Sequence, residues 1–245
     1  MEQYSTQLGT LYNADSLHIL KDMEDKSIDL IITDPPYNIS RPRKFTMKGK
    51  KPISLDYGEW DKWETEEEYL DWCKVWLKEC HRVLKDTGNI LVWHGKATPF
   101  PYIMSKMDYK VKNLFAWCKT NPVPSFMKIN FLSGFELSTW CVKNTPDKKT
   151  FNFKTQKEMI NFASHSIVSG NERTKHPTQK PLKIIKHLIE VLSNENDLVL
   201  DIFAGSATTA VACEETKRNW ICIEKEKEYF EIGKNRLING HTMLF

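Results

Sequence analysis

The chain has 245 residues, 40% of them hydrophobic and 27% charged, which is enough apolar material for one full core. A mean hydropathy of −0.50 without a long apolar run excludes a membrane-spanning helix, and a net charge of +3 with a pI near 8.4 is too mild to name a nucleic-acid binder unaided. The six cysteines, Cys73, Cys80, Cys118, Cys141, Cys213 and Cys222, contain no Cys-x-x-Cys pair, which argues for reduced core thiols and against a zinc site or a disulfide framework.

Met1 to Thr10 has neither the basic start nor the apolar stretch of a secretory signal, so a cytoplasmic protein is expected. Leu11–Asp15 reads as a short strand and Ser16–Leu20 as a short helix. The apolar run Ile28–Thr33 then reads as a buried strand, closed by Asp34-Pro35-Pro36-Tyr37. From Asn38 to about Tyr57 a long loop is expected, and it carries Arg41, Arg43, Lys44, Lys48, Lys50 and Lys51 with no acid between Asn38 and Leu55. Asp56 to Asp71 is acidic by contrast, so the charge is sorted along the chain.

Thr65 followed by Glu66, Glu67 and Glu68 has the form of a helix start. Tyr69, Trp72, Cys73, Trp76, Leu77, Cys80, Val83 and Leu84 continue it at helical spacing, with an end expected near Asp86-Thr87-Gly88. Asn89–Trp93 is the next strand, Phe100–Met107 a helix and Val111–Cys118 another strand. Between Lys119 and Lys175 the rhythm turns irregular around a strand-like Leu137–Val142, and this stretch, about 120–175, is read as an insertion. Helix Pro181–Leu192, strand Asp197–Ile202, helix Ala207–Thr216, strand Trp220–Ile223 and a last helix Glu226–Leu237 complete a single α/β domain over 1–245 with a mostly parallel sheet.

Three segments carry chemistry. An exocyclic amine on a base is a weak nucleophile because its lone pair is delocalised into the ring. If the Asp34 carboxylate and the Pro35 carbonyl each take one N–H, that lone pair is turned outward for in-line attack on a methyl donor. Pro35 and Pro36 stiffen the bend, and Tyr37 can stack on a base that has left its duplex. Far downstream, Leu198–Thr209 offers a strand, the small-residue turn Ala204-Gly205-Ser206 and a helix start with Ala207, Thr208 and Thr209, where backbone N–H groups can meet a carboxylate. One glycine falls short of a dinucleotide fingerprint, and no Gly-Lys-Ser/Thr phosphate loop exists. Glu224, 23 positions after Asp201, closes the next strand where an acid can accept from two ribose hydroxyls. In His176-Pro177-Thr178-Gln179-Lys180-Pro181, Lys180 can reach a cofactor carboxylate, while His176 reads as structural because no orienting acid lies near it in sequence.

Asp-Pro-Pro-Tyr, His-Pro-Thr-Gln-Lys-Pro and Asp-x-Phe-x-Gly-Ser occur in that order, and the chain thereby resembles the beta class of amino-directed DNA methyltransferases. Asn38-Ile39-Ser40, Asp56–Asp61 and Trp117–Pro124 are similar to small bacterial adenine-N6 members of restriction-modification systems. The resemblance implies a Rossmann-like fold with circularly permuted motifs and S-adenosylmethionine as cofactor. It further implies an adenine held by Asp34, Pro35, Pro36 and Tyr37. Asp15, Asp34, Lys180, Asp201, Phe203, Ala204, Gly205, Ser206, Thr208, Thr209 and Glu224 are expected around the cofactor, with no metal. Ala207 stands where the family commonly has a second glycine. None of the cysteines follows a proline, so ring-carbon methylation of cytosine is not expected. Asp at the head of the tetrapeptide favours adenine over cytosine N4. Methylation of RNA or a protein amide, and a DNA-binding homologue without activity, are the remaining alternatives. Duplex DNA is the expected partner, facing the 38–57 loop and the 120–175 insertion, with a separate restriction endonuclease and a homodimer as further possibilities.

Overall fold

The computed structural model describes residues 1–40, 44–45, 53–54, 61–95, 99–125 and 128–242. In chain order the elements are β1 (Glu2–Ser5), β2 (Gly9–Asn13), α1 (Ser16–Asp22), β3 (Ile28–Thr33), β4 (Lys44–Phe45), β5 (Ile53–Ser54), α2 (Glu66–Val83) and β6 (Leu84–His94). There follow α3 (Phe100–Ser105), β7 (Tyr109–Lys119), β8 (Phe135–Lys143), β9 (Phe162–His165), α4 (Leu182–Leu192), β10 (Leu198–Asp201), α5 (Thr208–Thr216), β11 (Asn219–Glu224) and α6 (Lys227–Thr242).

Nine strands form one sheet in the order β1-β2-β11-β10-β3-β6-β8-β7-β9. Neighbours from β2 to β6 pair in parallel, β7 and β9 pair in parallel, and β8 is antiparallel to both β6 and β7. The central strand β3 shows why the run Ile28–Thr33 is almost uninterruptedly apolar: a strand covered by helices on both faces has no wet side on which to place polar residues. Leu30 and Ile32 pack with α4, α5 and α6 on one face, through Ile185, Ala210 and Phe230 among others. Ile28 and Ile31 pack with α1, α2 and α3 on the other, through Leu20, Trp76 and Phe100. This is a Rossmann-like α/β fold. Among the described residues no helix is long and apolar enough to cross a membrane.

Helix α2 starts as its sequence demands. The Thr65 hydroxyl accepts from the Glu68 N–H at 3.1 Å, and the Glu68 carboxylate accepts from the Thr65 N–H at 3.3 Å. It ends at Val83, earlier than the Asp86-Thr87-Gly88 turn suggests, because Leu84 already pairs with Ile28 and the turn-like residues are drawn into β6. Gly88 suits that position, since a Cβ there would come within 2.8 Å of the Asp29 carbonyl. The other difference is β8. It lies inside the stretch expected to stand apart as an insertion, yet it is an interior strand between β6 and β7.

The order of strands sets the position of the site. After β10 the chain crosses by α5 to β11 on one face, whereas after β3 it crosses by α2 to β6 on the other. The carboxyl ends of β3 and β10 therefore diverge into opposite layers and leave a crevice between them. Asp34 follows one and Asp201 ends the other.

Candidate active site

A cavity of about 340 Å³ opens at this crevice, and all of Asp15, Asp34 to Tyr37, Lys180, Asp201, Phe203 to Ser206, Thr208, Thr209 and Glu224 line it. Residues as far apart in sequence as Asp15 and Glu224 thus share one cavity. Of the basic loop, Arg41, Arg43, Lys48, Lys50 and Lys51 lie outside the described residues; Lys44 belongs to β4, which pairs with β5.

On the β10 side the floor is a lattice of buried hydrogen bonds. Asp201 accepts from the hydroxyls of Thr33 at 2.8 Å and Thr209 at 2.6 Å and from the Phe203 N–H at 3.1 Å, so one carboxylate ties β3, α5 and the turn together. Burial pushes its pKa up to about 6. Glu224 accepts from the Gly205 and Glu226 N–H groups, both at 2.7 Å, and burial raises it to about 7 against those two donors. Gly205 is at φ +53°, and a Cβ would meet His176 Nε2 at 2.8 Å. His176 packs on Tyr229 with ring centroids 4.4 Å apart, and burial drives its pKa down to about 3, so it is neutral. Its Nδ1 has no partner among the described residues. Ala207, also left-handed at φ +56°, is fully buried against Gly233, where an added Cβ would sit 2.8 Å from its own.

The β3 side presents the tetrapeptide. The Tyr37 hydroxyl donates to Asp34 Oδ1 at 2.5 Å, and Tyr69 on α2 donates to the Pro36 carbonyl at 2.8 Å. No donor among the described residues meets the Pro35 carbonyl. Burial raises Asp34, an effect that Lys180 opposes, and burial also holds the Tyr37 phenol well above its ordinary value, in its donor form. Lys180, expected to reach the methionine end of a cofactor, lines the cavity, and its ammonium pairs with Asp34 and with Glu136.

Several residues of the site have roles that nothing local in the sequence specifies. Asp61, 1% exposed, accepts from the N–H groups of Asn38 at 2.6 Å, Ile39 at 3.0 Å and Ser40 at 2.8 Å and so anchors the chain leaving the tetrapeptide. Arg236 on α6 donates to the Ser206 carbonyl at 2.6 Å and to the Thr208 hydroxyl at 2.9 Å, holding the small-residue turn from below. Trp63 and Trp72 line the cavity beside Phe203, with Trp72 and Phe203 centroids 5.5 Å apart; Trp72 reads in sequence only as part of a helical apolar face. Replacing Asp61 by Ala strands three N–H groups, so Asp61→Ala is expected to lose about 3 kcal/mol of stability in denaturant unfolding. An unchanged midpoint would show that the three bonds do not hold the segment.

Comparison with known proteins agrees with this arrangement. The DNA methylase family (N6_N4_Mtase) matches residues 28–235. Type II methyltransferase M.HinfI of Haemophilus influenzae is 37% identical over 251 residues, covering 96% of this chain and 70% of its own. Type II methyltransferase M2.DpnII of Streptococcus pneumoniae is 31% identical, covering 96% and 91%. Among solved structures, M1.HpyAVI in complex with SAM superposes with a TM-score of 0.72 at 30% identity, over 93% of this chain and 98% of that one. The cytosine-N4-specific PvuII DNA methyltransferase shares the fold, with a TM-score of 0.74 at 22% identity over 98% and 93%. The fold and the crevice define a Rossmann-like transferase, and the chain belongs to the DNA methylase family.

Proposed function

We propose that this protein transfers a methyl group from S-adenosylmethionine to N6 of an adenine extruded from duplex DNA, as a beta-class enzyme of restriction-modification type. The observation that carries the reading is the tetrapeptide's position: Asp34 and Pro35 line the same cavity as the Asp201, Gly205 and Glu224 cluster across the crevice.

The residues suit the cofactor. Gly205, left-handed at φ +53°, and the short Ala204 and Ser206 beside it line the cavity and leave it room for a ligand, and Glu224, also on its wall, can accept from ribose hydroxyls. When bound, the cofactor supplies an electrophilic methyl on a sulfonium. Asp34 and the Pro35 carbonyl each accept one N–H of the adenine amine and turn its lone pair toward that methyl. Asp34, made a weaker acid by burial, then takes the proton that the methylated nitrogen sheds. Tyr37 stacks on the extruded base. The basic stretch from Arg41 to Lys51 and the 120–175 region, which includes the exposed Lys128 and Phe131 between β7 and β8, are the parts assigned to DNA contact, where lysines neutralise phosphates. A separately acting cognate endonuclease and a homodimer fit the same biology.

Nucleoside analysis of DNA from cells expressing the protein tests the reading: N6-methyladenine is expected, whereas N4-methylcytosine or no methylated base would refute it. A second test uses pH. Glu224 titrates near 7 in the folded chain against an ordinary value of 4.5. Its folded pKa is raised, so the stability linked to this proton is full below 4.5 and is lost as pH rises through about 7. Ribose donors require the ionised acid, so cofactor affinity should strengthen with pH, by up to about tenfold per unit below 7, and level off above it. Calorimetry between pH 6 and 8 on the wild type and Glu224→Gln checks this; the same slope in both would remove Glu224 from the ribose.

A further inference from the structure

Both oxygens of Asp34 already hold donors from the chain itself. Oδ1 accepts from Tyr37 and Oδ2 from the Lys180 ammonium. Lys180 is only 6% exposed, and its Nζ lies 5.4 Å from the Trp93 ring centroid and 5.6 Å from that of Tyr37. A second carboxylate waits beside it: Glu136 on β8, at 3.1 Å. Glu136 is itself paired at 2.7 Å with Lys119, which ends β7. Asp34, Lys180, Glu136 and Lys119 thus form a chain of alternating charge with no net excess.

The two acids in that chain differ. Burial pushes Glu136 up, but Lys180 and Lys119 outweigh it and hold the carboxyl below its ordinary value. Asp34, with no second cation beside it among the described residues, is raised by its burial. Burial pulls Lys180 down, and the two acids more than reverse this, so its charge is retained. An oxygen engaged by an ammonium is a poor acceptor for the weakly acidic N–H of a base, so Asp34 can work only if Lys180 gives way. Because Lys180 already touches both acids, a small movement suffices and no charge has to enter or leave the protein interior.

We propose that Glu136 is a positioning residue that draws the Lys180 ammonium off Asp34 as the target base enters, freeing Oδ2 for the exocyclic amine. This rests on the role proposed for Asp34 above. Single-turnover methyl transfer and cofactor affinity are to be measured for Glu136→Gln, Lys180→Gln and the double variant. Glu136→Gln should slow transfer roughly tenfold or more while leaving cofactor affinity within about twofold of wild type. Adding Lys180→Gln should then recover part of the rate, since the ammonium that covers Asp34 is gone and a shorter neutral amide stands in its place. A purely structural Glu136 gives the reverse order, with the double variant slower than Glu136→Gln; that result, or a wild-type rate in Glu136→Gln, overturns the proposal. If Glu136→Gln does not fold, the wild-type complex with DNA and an unreactive cofactor analogue decides: Lys180 on Glu136 alone supports the shift, and Lys180 still on Asp34 beside a seated base refutes it. Absence of methylated product from the wild type would sink the reading of the enzyme itself, a separate outcome.

Discussion

Asp34→Ala should abolish methyl transfer, by about 10³-fold or more in single turnover, while cofactor affinity changes little. Asp34 supplies one of the two acceptors that redirect the amine's lone pair, and no neighbour can replace it: Glu136 is engaged with Lys119 and Lys180. The fold should survive the substitution. Lys180 keeps Glu136 as its counter-ion, so no buried charge is left alone, and the Tyr37 hydroxyl loses only one partner. Rapid-quench transfer assays with calorimetric titration of the cofactor separate the two effects. Equal loss of transfer and of cofactor binding would contradict the division of labour between the two sides of the crevice.

Asp201→Ala should fail in the opposite way. It removes the acceptor shared by Thr33, Thr209 and Phe203, leaving buried donors unpaired at a cost of about 2–4 kcal/mol. The small-residue turn loses its tie to β3, so cofactor affinity should fall about 100-fold, equivalent to a little under 3 kcal/mol. Asp201→Asn is the informative partner variant. Its amide oxygen can keep one hydroxyl and the Phe203 N–H while the Thr209 hydroxyl turns to accept, so much of the affinity should return. If Asp201→Ala bound cofactor as tightly as the wild type, the carboxylate would be a stabilising tie for β3 with no bearing on the pocket.

These two acids were legible in the sequence because each closes an apolar strand, and strand ends in a parallel sheet converge on one edge. The same logic located Glu224 and the helices that carry the turns. What the sequence left hidden depends on partners distant along the chain. Nothing local marks Asp61 as the acceptor for Asn38 to Ser40, or Arg236 as the prop beneath Ser206, because each contact spans more than twenty positions. Glu136 is similar: only the placement of β8 between β6 and β7 brings it to Lys180, and β8 sits in a stretch whose irregular pattern reads as an insertion. Strands β1 and β9 also leave little mark on the sequence, being four residues each and at the edges of the sheet, where apolar alternation is weak. The end of α2 shows a propensity overruled by tertiary pairing, since Asp86-Thr87-Gly88 has turn chemistry but lies within β6, between Leu84 and Asn89, which pair with Ile28 and Leu30 of β3.

The most direct measurement is the structure of a ternary complex with duplex DNA containing the methylated site and a sulfonium analogue that cannot react. The expected result is an extruded adenine whose N6 lies about 2.7–3.2 Å from both an Asp34 carboxylate oxygen and the Pro35 carbonyl, with the third direction on nitrogen aimed at the sulfonium. An adenine seated elsewhere, or an Asp34 side chain turned away from its amino group, would contradict the reading.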